Sequence, residues 1–417
     1  MAQTTDDQKK PELLSPAGDW ASLNAAIDAG ADAVYFGIKG LNMRHAAANF
    51  HLNEIGRVME CLRQAGVKGY VTLNTVMRQT DLPRLKQILA AARAAHVNAV
   101  ILWDMAVLAL AREQGLRIHL STQASVANIE ALRMYVRQGV SQIVLARECS
   151  LDDIAVMAGV IRREKIPCKI ETFVHGAMCV SVSGRCFLSQ ETFAKSANQG
   201  QCLQPCRREY FIRDREGECE YVLGPDYLLS PRDLCAIDVV DRLMAAGVDS
   251  FKIEGRMRSP EYVRETTLCY RQAIDAAAGG CLTPALAAKL RKRLETVYNR
   301  GFSHGFLLGA PGAEGWSRGL AHTRQKVFIG EVTRFFKKIS VAEVRLQSHA
   351  VARGEEILII GHKTPALRCL VDEMKRDDAF IGRAVKGETI GIKLPWAVRP
   401  KDKVFVWSLR HNHGEGS

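Results

Sequence analysis

The sequence predicts a parallel (β/α)8 barrel, TIM-like, with a long cysteine-rich insertion after its seventh strand and a small all-β domain after the barrel. Eight short apolar runs alternate with helix-like stretches, and eight is the strand number that closes such a barrel. The runs are nearly continuous in Val, Ile and Leu, as expected for strands that are buried on both faces. From Lys326 onward, short β-like runs separated by turn residues replace this alternation, which indicates a small β-barrel or sandwich.

The eight predicted strands follow one another through residue 256. They begin at Glu12, Asp32, Lys68, Asn98, Arg117, Gln142, Lys169 and Ser250. Several of the helix-like stretches between them end at Gly, the residue expected just past the end of a helix. An open doubly wound sheet is the alternative, because the number of strands cannot show closure. The barrel is favoured because no G-x-G-x-x-G follows the first strand.

These patterns divide the chain into four segments. Residues 1–10 are expected to form a disordered tail. The barrel is predicted over 11–308, and the cysteine-rich insertion occupies 176–249 within it. A glycine-rich linker over 309–325 then leads to the β-domain, which is predicted over 326–411.

The composition fits a basic protein with a well-filled core. Hydrophobic residues make up 47% of the 417 residues, and the net charge is +12, of which residues 326–417 carry +6. Such a charge suits a polyanionic partner such as nucleic acid, although a solvated basic surface is an equally good interpretation. No apolar run is long enough to span a bilayer, and the polar N-terminus lacks the apolar middle of a signal peptide. We therefore expect a cytoplasmic location, reduced cysteines and no membrane partner.

A run of four cysteines follows the seventh predicted strand directly. Their spacing is C-x6-C-x15-C-x3-C, and the residues are Cys179, Cys186, Cys202 and Cys206. Glycines and a proline beside the last cysteine suit a loop that wraps around a cluster, whereas zinc sites usually show paired C-x-x-C knuckles. An iron–sulfur cluster is therefore favoured over a structural zinc ion. Cys235 lies close enough in sequence to be a fifth candidate ligand.

The eighth predicted strand carries the best candidates for chemistry. Active sites of such barrels lie at the C-terminal ends of the strands, and in KIEGR the alternation of a strand points Lys252, Glu254 and Arg256 to one face. Glu254 and Lys252 are candidate acid–base groups, and Arg256 is a candidate grip for a carboxylate or phosphate. A buried layer of ion pairs is the alternative interpretation.

Other polar residues follow the same ends of predicted strands. The candidates for substrate binding are Arg44, Arg147, Gln123 and Glu148. His175 is a further catalytic candidate, with a hydrogen-bonded strut as the alternative. Candidate phosphate contacts are Arg207, Arg208, the KLRKR run from Lys289, and Lys337–Lys338, each of which is equally compatible with a solvated surface.

A peptidase is the main rival function. The pattern G-x-S-x-G occurs at 301–305 and 315–319, but neither copy joins a predicted strand to a predicted helix as a nucleophile elbow does, and there is no H-E-x-x-H zinc motif. A cysteine peptidase would pair Cys179 with His175, but four closely spaced thiols favour ligation over nucleophilic attack.

Several motifs together resemble the collagenase-like peptidase family of unassigned catalytic type. They are LLSPAGDWASLNAAIDAGADAVYFG, FVHGAMCVSVSGRCFLS, NQGQCLQPCR, LLSPRDL and FKIEGRMRSPEYV, and the resemblance covers essentially the whole chain. Members of this family are similar to RNA hydroxylases that make 5-hydroxyuridine at the tRNA wobble position or 5-hydroxycytidine in 23S rRNA. The resemblance implies dependence on prephenate and a 4Fe-4S cluster whose ligands correspond to Cys179, Cys186, Cys202 and Cys206.

The fourth cluster ligand stays open at this point. Members that take part in ubiquinone hydroxylation lack the β-domain and use a later cysteine, near the position of Cys235. Cys206 is favoured because the C-x3-C spacing brings its sulfur near that of Cys202 at little loop-closure cost. Prephenate is a dicarboxylate, which suits an arginine-rich site such as Arg256 with Arg44 and Arg147.

The resemblance and the residues together predict a tRNA-modifying hydroxylase. The alternatives are a 23S rRNA hydroxylase, a collagenase-like peptidase, and a non-catalytic, cluster-bearing protein that binds RNA or assists assembly. An oligomer or a partner protein is compatible with the sequence.

Overall fold

The computed structural model describes residues 10–208, 210, 212–213, 220–221, 229–312, 315–317 and 319–410. Most of the tail predicted over 1–10 lies outside these residues. The strands of the first part of the chain are, in order, β1 (Glu12–Ala17), β2 (Ala33–Gly37), β3 (Lys68–Leu73), β4 (Ala99–Leu102), β5 (Ile118–Leu120), β6 (Val140–Val144), β7 (Lys169–Gly176), β8 (Ile212–Arg213), β9 (Glu220–Tyr221), β10 (Asp233–Cys235), β11 (Ser250–Ile253) and β12 (Phe302–Ser303).

Eight of these strands form a closed parallel barrel. Strands β1 to β7 pair in sequence order, and β11 pairs in parallel with both β7 and β1, so the sheet has no open edge there. Ser250 illustrates the closure, since it lies opposite Glu171 on one side and Glu12 on the other. The predicted (β/α)8 barrel is therefore confirmed, and the alternative of an open doubly wound sheet is wrong.

Helices surround the barrel and connect successive strands. They are α1 (Trp20–Asp28), α2 (Ile55–Gln64), α3 (Leu82–Ala94), α4 (Met105–Glu113), α5 (Ile129–Arg137), α6 (Leu151–Glu164), α7 (Leu188–Phe193), α8 (Val240–Ala246), α9 (Pro260–Ala278) and α10 (Pro284–Leu294). Side-chain caps begin several of them, because the first amides of a helix lack backbone acceptors. The Asp19 carboxylate accepts from the Ser22 amide at α1, and the Asn128 side chain accepts from the Ala131 amide at α5.

The cysteine-rich segment follows β7, as predicted. It consists of short 3-10 turns, helix α7 and the β8–β9 pair, and it returns through β10. Strand β10 pairs antiparallel with the end of β7 and parallel with β12, an arrangement that the sequence patterns do not predict. In the part of the chain that the structure describes, no helix is long and apolar enough to cross a membrane.

The C-terminal domain is antiparallel β-structure that curves into a half-barrel. Its strands are β13 (Arg324–Phe336), β14 (Val341–Leu346), β15 (Val351–Ala352), β16 (Glu356–Ile360), β17 (Leu367–Leu370), β18 (Met374–Arg376), β19 (Ala379–Phe380), β20 (Arg383–Ala384), β21 (Thr389–Lys393) and β22 (Lys403–Leu409). Eight of them form one sheet in the order β17-β16-β22-β13-β14-β21-β18-β19, and β15 pairs with β20. The predicted all-β domain is confirmed.

The β-domain contacts helices α1 and α9 of the barrel. The Trp20 and His362 rings stack with centroids 5.3 Å apart, and Glu261 forms an ion pair of 2.9 Å with Lys326. Trp20 and Glu261 lie in the first turns of their helices, which begin at the end of the barrel where the strands finish. The β-domain therefore lies beside the end of the barrel at which the active site of this architecture is found.

A buried polar layer crosses the barrel interior. The Lys252 ammonium on β11 lies 2.7 Å from the Glu171 carboxylate on β7, and the two side chains are 5% and 0% exposed. The Gln142 side chain donates to the other carboxylate oxygen. Removing one partner of such a pair leaves an unpaired buried charge, whereas removing both does not.

This asymmetry gives a prediction for stability. Glu171→Leu should lower the free energy of unfolding by about 3–5 kcal/mol, because it leaves the Lys252 ammonium buried without a counter-charge. Thermal unfolding followed by circular dichroism should show a large decrease in the midpoint for this variant. The double variant Glu171→Leu/Lys252→Met should have an unfolding midpoint closer to that of wild type. A double variant as unstable as the single one would show that the charge is not the cause.

Candidate active site at the barrel mouth

A cavity of about 140 Å³ lies at the C-terminal ends of the barrel strands, and we call it the mouth cavity. Its walls come from the β2–α2 loop, from the ends of β3, β5, β6, β7 and β11, and from the cysteine-rich segment. The cysteine-rich segment is fastened over the cavity by backbone contacts with neighbouring loops. The His45 amide donates to the Gly200 carbonyl, and the Val76 amide donates to the Asn198 carbonyl.

All four cysteines of the C-x6-C-x15-C-x3-C run line the mouth cavity. They are Cys179, Cys186, Cys202 and Cys206. Two of the sulfurs already accept backbone hydrogen bonds, at 3.3 Å from the Leu188 amide to Cys186 Sγ and at 3.4 Å from the Gln204 amide to Cys202 Sγ. Amide donors of this kind stabilise negatively charged sulfur, and around iron–sulfur clusters they help to set the potential.

The electrostatics of the thiols suit a cationic ligand. Burial raises the pKa of the Cys202 and Cys206 thiols, and the neighbouring cysteines raise it further. Thiols that disfavour each other's ionisation in this way remain protonated until a metal replaces their protons.

The metal donors around the cavity are thiols. Within the described residues, no three His, Cys, Asp or Glu side chains are close enough together to hold one metal ion. A four-iron cluster holds its four thiolates farther apart than a single zinc ion does, because each thiolate binds a different iron. Four cysteines around one cavity are consistent with an iron–sulfur cluster.

Cys235 is separated from this group. It lies on β10, is fully buried, and its sulfur is 3.9 Å from the Tyr270 hydroxyl in the protein core. It does not line the mouth cavity. Burial raises the pKa of this thiol to about 11, as expected for a cysteine that acts as a small apolar side chain.

A largely buried carboxylate, that of Glu254, lines the same cavity as the cysteines. Its Oε1 accepts two hydrogen bonds from Arg44, at 3.0 Å from Nε and 2.8 Å from Nη2. Burial acts to raise the pKa of Glu254, but Arg44, Arg147 and Arg256 outweigh it and lower the pKa to about 2. At neutral pH Glu254 is therefore an ionised carboxylate that holds the Arg44 guanidinium in place. Because its pKa is low, it is a weak base.

Two of the arginines that line the cavity have a buried donor without a partner. Arg256 Nη1 donates to Asn42 Oδ1 at 3.0 Å and to Thr72 Oγ1 at 2.6 Å, and Arg147 Nη1 donates to the Ala177 carbonyl at 2.6 Å. The Nε atoms of both arginines are buried without a hydrogen-bond partner. Buried donors of a charged group are costly to leave unpaired, so the arrangement suits an anionic ligand.

Of the other predicted site residues, some line the mouth cavity and others lie outside it. Gln123 lines the mouth cavity, and so does Lys252, although its ammonium is already bound to Glu171. Glu148 is exposed and does not line the cavity. His175 is 1% exposed, and its ring packs against Tyr270 in the core rather than facing Cys179.

The candidate phosphate contacts include both exposed residues and one that binds other parts of the protein. Arg207 donates to the Ser230 hydroxyl at 2.8 Å and to the Pro231 carbonyl at 2.9 Å, so it ties the cysteine run to the part of the insertion that leads into β10. Arg208 is exposed and lies over the Phe193 ring. Lys337 and Lys338 are exposed at the turn between β13 and β14.

Three residues of the site were not among the sequence-based candidates: Tyr35 and Thr72, which line the cavity, and Asn42, which binds Arg256 without lining it. The Tyr35 hydroxyl donates to the Ile253 carbonyl, and the other two hold Arg256. The alternation of side chains along β2 and β3 would place Tyr35 and Thr72 inside the barrel. An aromatic residue or a threonine within an apolar strand gives no further indication that it has a function.

Gly200 controls how closely the cysteine-rich segment approaches the β2–α2 loop. Its φ is +79°, and a Cβ there would lie 2.1 Å from the Asn42 carbonyl oxygen. Gly40, on the β2–α2 loop, also has a positive φ of +115°, but a Cβ there would meet nothing within 4 Å. A side chain at either position would be strained by the positive φ, but only at Gly200 would it also clash with a neighbouring backbone atom.

We expect Gly200→Ala to displace the cysteines and Gly40→Ala to leave them in place. The measurement is the rate at which a maleimide reagent modifies Cys186 and Cys202 in the metal-free protein, read by peptide mass spectrometry. Gly200→Ala should raise the rate several-fold, and its unfolding midpoint should fall below that of Gly40→Ala. Equal rates in the two variants would contradict this description of the contact.

Comparison with known proteins places the chain in a family. It is 40% identical to a protein named collagenase from Porphyromonas gingivalis, over 96% of this chain and 98% of that protein. It is 33% identical to a tRNA hydroxylation protein of Bacillus subtilis, over 85% and 84% of the two chains. It is 38% identical to a 23S rRNA 5-hydroxycytidine synthase of Escherichia coli, over 64% of this chain and 39% of that protein.

The relatives thus carry names of two kinds, protease and RNA hydroxylase. The model of Peptidase family U32 matches residues 18–317, which include the cysteine-rich segment and all of the barrel after β1. The resemblance seen in the sequence motifs is confirmed over the same residues. The chain belongs to Peptidase family U32.

Proposed function

We propose that this protein hydroxylates C5 of a pyrimidine in RNA, namely uridine at the tRNA wobble position, with a 4Fe-4S cluster and prephenate as co-substrate. The observation that carries the proposal is the composition of the mouth cavity. Four cysteines line the same cavity as four arginines and one largely buried glutamate, Glu254. This combination suits a redox cluster next to an anionic small molecule, and both would lie at the active end of the barrel.

The cluster ligands in this proposal are the four cysteines that line the mouth cavity, with Cys206 as the fourth ligand. When bound, the cluster would supply one-electron chemistry. The chain's own residues bind and orient the reactants around it. The Leu188 and Gln204 amides stabilise charge on two of the sulfurs.

The arginines are proposed to bind the co-substrate. Prephenate has two carboxylates, and the buried Nε atoms of Arg147 and Arg256 are two unpaired donors of the matching charge. Glu254 keeps the Arg44 guanidinium fixed at the edge of the same cavity. Because the cavity carries more positive than negative groups, a doubly charged anion would neutralise it.

RNA as the target rests on charge and on the relatives. The β-domain carries half of the net charge of +12, and it lies beside the mouth end of the barrel. The exposed Arg208, Lys337 and Lys338 are proposed phosphate contacts. A tRNA target is preferred to rRNA because this chain matches 84% of the tRNA-modifying relative but only 39% of the rRNA-modifying one.

A peptidase is the second candidate, since the relative named collagenase matches nearly the full length of both chains. Peptide hydrolysis by a cysteine would need a histidine base within reach of the nucleophile. No histidine and no aspartate line the mouth cavity among the described residues. Burial lowers the pKa of His175 to about 3, and its ring is surrounded by Tyr262, Tyr270 and Phe302. These contacts support a structural role for His175.

The test compares cysteine variants in a strain that lacks the chromosomal gene. Cys179→Ser should abolish one 5-hydroxypyrimidine in bulk RNA, because it removes a cluster ligand, and Cys281→Ser should leave the modification at the wild-type level. Cys281 is the matched control, since it is also exposed but lies outside the mouth cavity. The measurement is nucleoside mass spectrometry of separated tRNA and rRNA, with gelatin cleavage by the purified proteins assayed in parallel.

Three outcomes separate the candidates. Loss of 5-hydroxyuridine from tRNA in Cys179→Ser supports the proposal, and loss of 5-hydroxycytidine from rRNA instead assigns the other target. Unchanged RNA together with gelatin cleavage that needs Cys179 would overturn the hydroxylase proposal in favour of the peptidase.

A further inference from the structure

A second cavity, of about 480 Å³, lies at the opposite end of the barrel, and we call it the basal cavity. Its walls come from residues at or just before the N-terminal ends of β3, β4, β5, β6 and β7. It shares no lining residue with the mouth cavity. The residues at this end of a barrel usually serve stability rather than catalysis, so polar groups without partners there need a separate explanation.

All charged residues that line the basal cavity are positively charged. Lys68, Arg117 and Lys169 line it, and no carboxylate does. Lys68 is neutralised by Glu12, 2.6 Å away behind the wall. Arg117 and Lys169 are exposed, and neither has a carboxylate within ion-pair distance among the residues that the structure describes. Solvent screens the repulsion between exposed cations, and two unpaired cations at one cavity leave their charge available to an anionic ligand.

A buried histidine completes the cavity wall. His119, on β5, is 3% exposed, and its Nδ1 has no hydrogen-bond partner. Its ring lies edge-on to the Tyr70 ring, with centroids 4.7 Å apart. Burial, with the nearby cations Lys252 and Arg117, lowers the pKa of His119 to about 3, so the ring is neutral at physiological pH. A neutral imidazole carries one N–H donor, and leaving a buried ring nitrogen unpaired is costly.

We propose that the basal cavity binds the phosphate group of a small molecule, with Arg117 and Lys169 supplying the charge and His119 a neutral hydrogen bond. A phosphate monoester near pH 7 carries close to two negative charges, which matches the two uncompensated cations. Arginine offers a planar fork to phosphate oxygens and lysine offers a point charge. The site does not depend on the function proposed for the mouth cavity, because the two cavities lie at opposite ends of the barrel.

Isothermal titration calorimetry with inorganic phosphate on the full-length protein tests the proposal. Wild type should show saturable binding at constant ionic strength, and Arg117→Ala/Lys169→Ala should weaken it by at least about tenfold, since two charged contacts are lost. His119→Phe keeps the ring against Tyr70 but removes its nitrogens, and it should weaken binding several-fold. The matched control, Lys86→Ala/Arg137→Ala, removes two exposed cations that lie outside the cavity and should bind phosphate as wild type does.

The other outcomes count against the proposal. An isotherm unchanged in Arg117→Ala/Lys169→Ala would place all phosphate binding elsewhere, for example at the arginines of the mouth cavity, and would overturn it. An equal loss in the control variant would show a non-specific charge effect and would also overturn it. A short single-stranded RNA that displaces phosphate from both wild type and the control would assign the basal cations to RNA rather than to a small molecule and would overturn the proposal.

Discussion

The buried carboxylate of Glu254 is the group on which the barrel mouth depends. Three guanidinium groups approach it, from Arg44 on the β2–α2 loop, Arg147 after β6, and Arg256 after β11. Without a negative charge among them, these groups would repel one another in a site that largely excludes water. Because Arg44 is held in this way, its loop is positioned to receive the cysteine-rich segment, and the next residue, His45, donates its amide to Gly200.

The same contact explains how sulfur chemistry and anion binding come to share one cavity. The cysteines arrive on a segment that follows β7, and the arginines arrive on three separate elements. Closure of the barrel brings β11 next to β7, so Glu254 and the cysteine-rich segment become neighbours. The shared cavity is the reason for which we propose that this chain holds a cluster and an anion at its mouth rather than cleaving a peptide bond.

Much of the fold was predictable because parallel strands buried on both faces have a strong apolar pattern. All eight predicted barrel strands exist, and Lys252, Glu254 and Arg256 all line the mouth cavity, although β11 ends at Ile253 and only Lys252 lies within the strand. The four clustered cysteines were visible from their spacing alone. These features depend on local sequence, which is why they could be predicted from the sequence alone.

The positions that depend on contacts between distant segments were not predictable. Alternation along β7 would point His175 into the barrel, but the register between β7 and β11 shifts beside Ile253, and such a bulge redirects the side chain. Cys235 lies close to the other cysteines in sequence, yet β10 pairs with β7 and carries it into the core. Arg207 looked like a phosphate contact and instead binds Ser230 and Pro231, because only the folded chain brings those acceptors together.

The central claim is that the mouth cavity holds a four-iron cluster on Cys179, Cys186, Cys202 and Cys206. Mössbauer spectroscopy of anaerobically purified, iron-57-labelled protein tests it most directly when Cys206→Ser is compared with Cys235→Ser. We expect wild type and Cys235→Ser to show the same cluster spectrum and Cys206→Ser to lose it. A cluster that survives in Cys206→Ser and disappears in Cys235→Ser would contradict the ligand set and the geometry of the mouth described above.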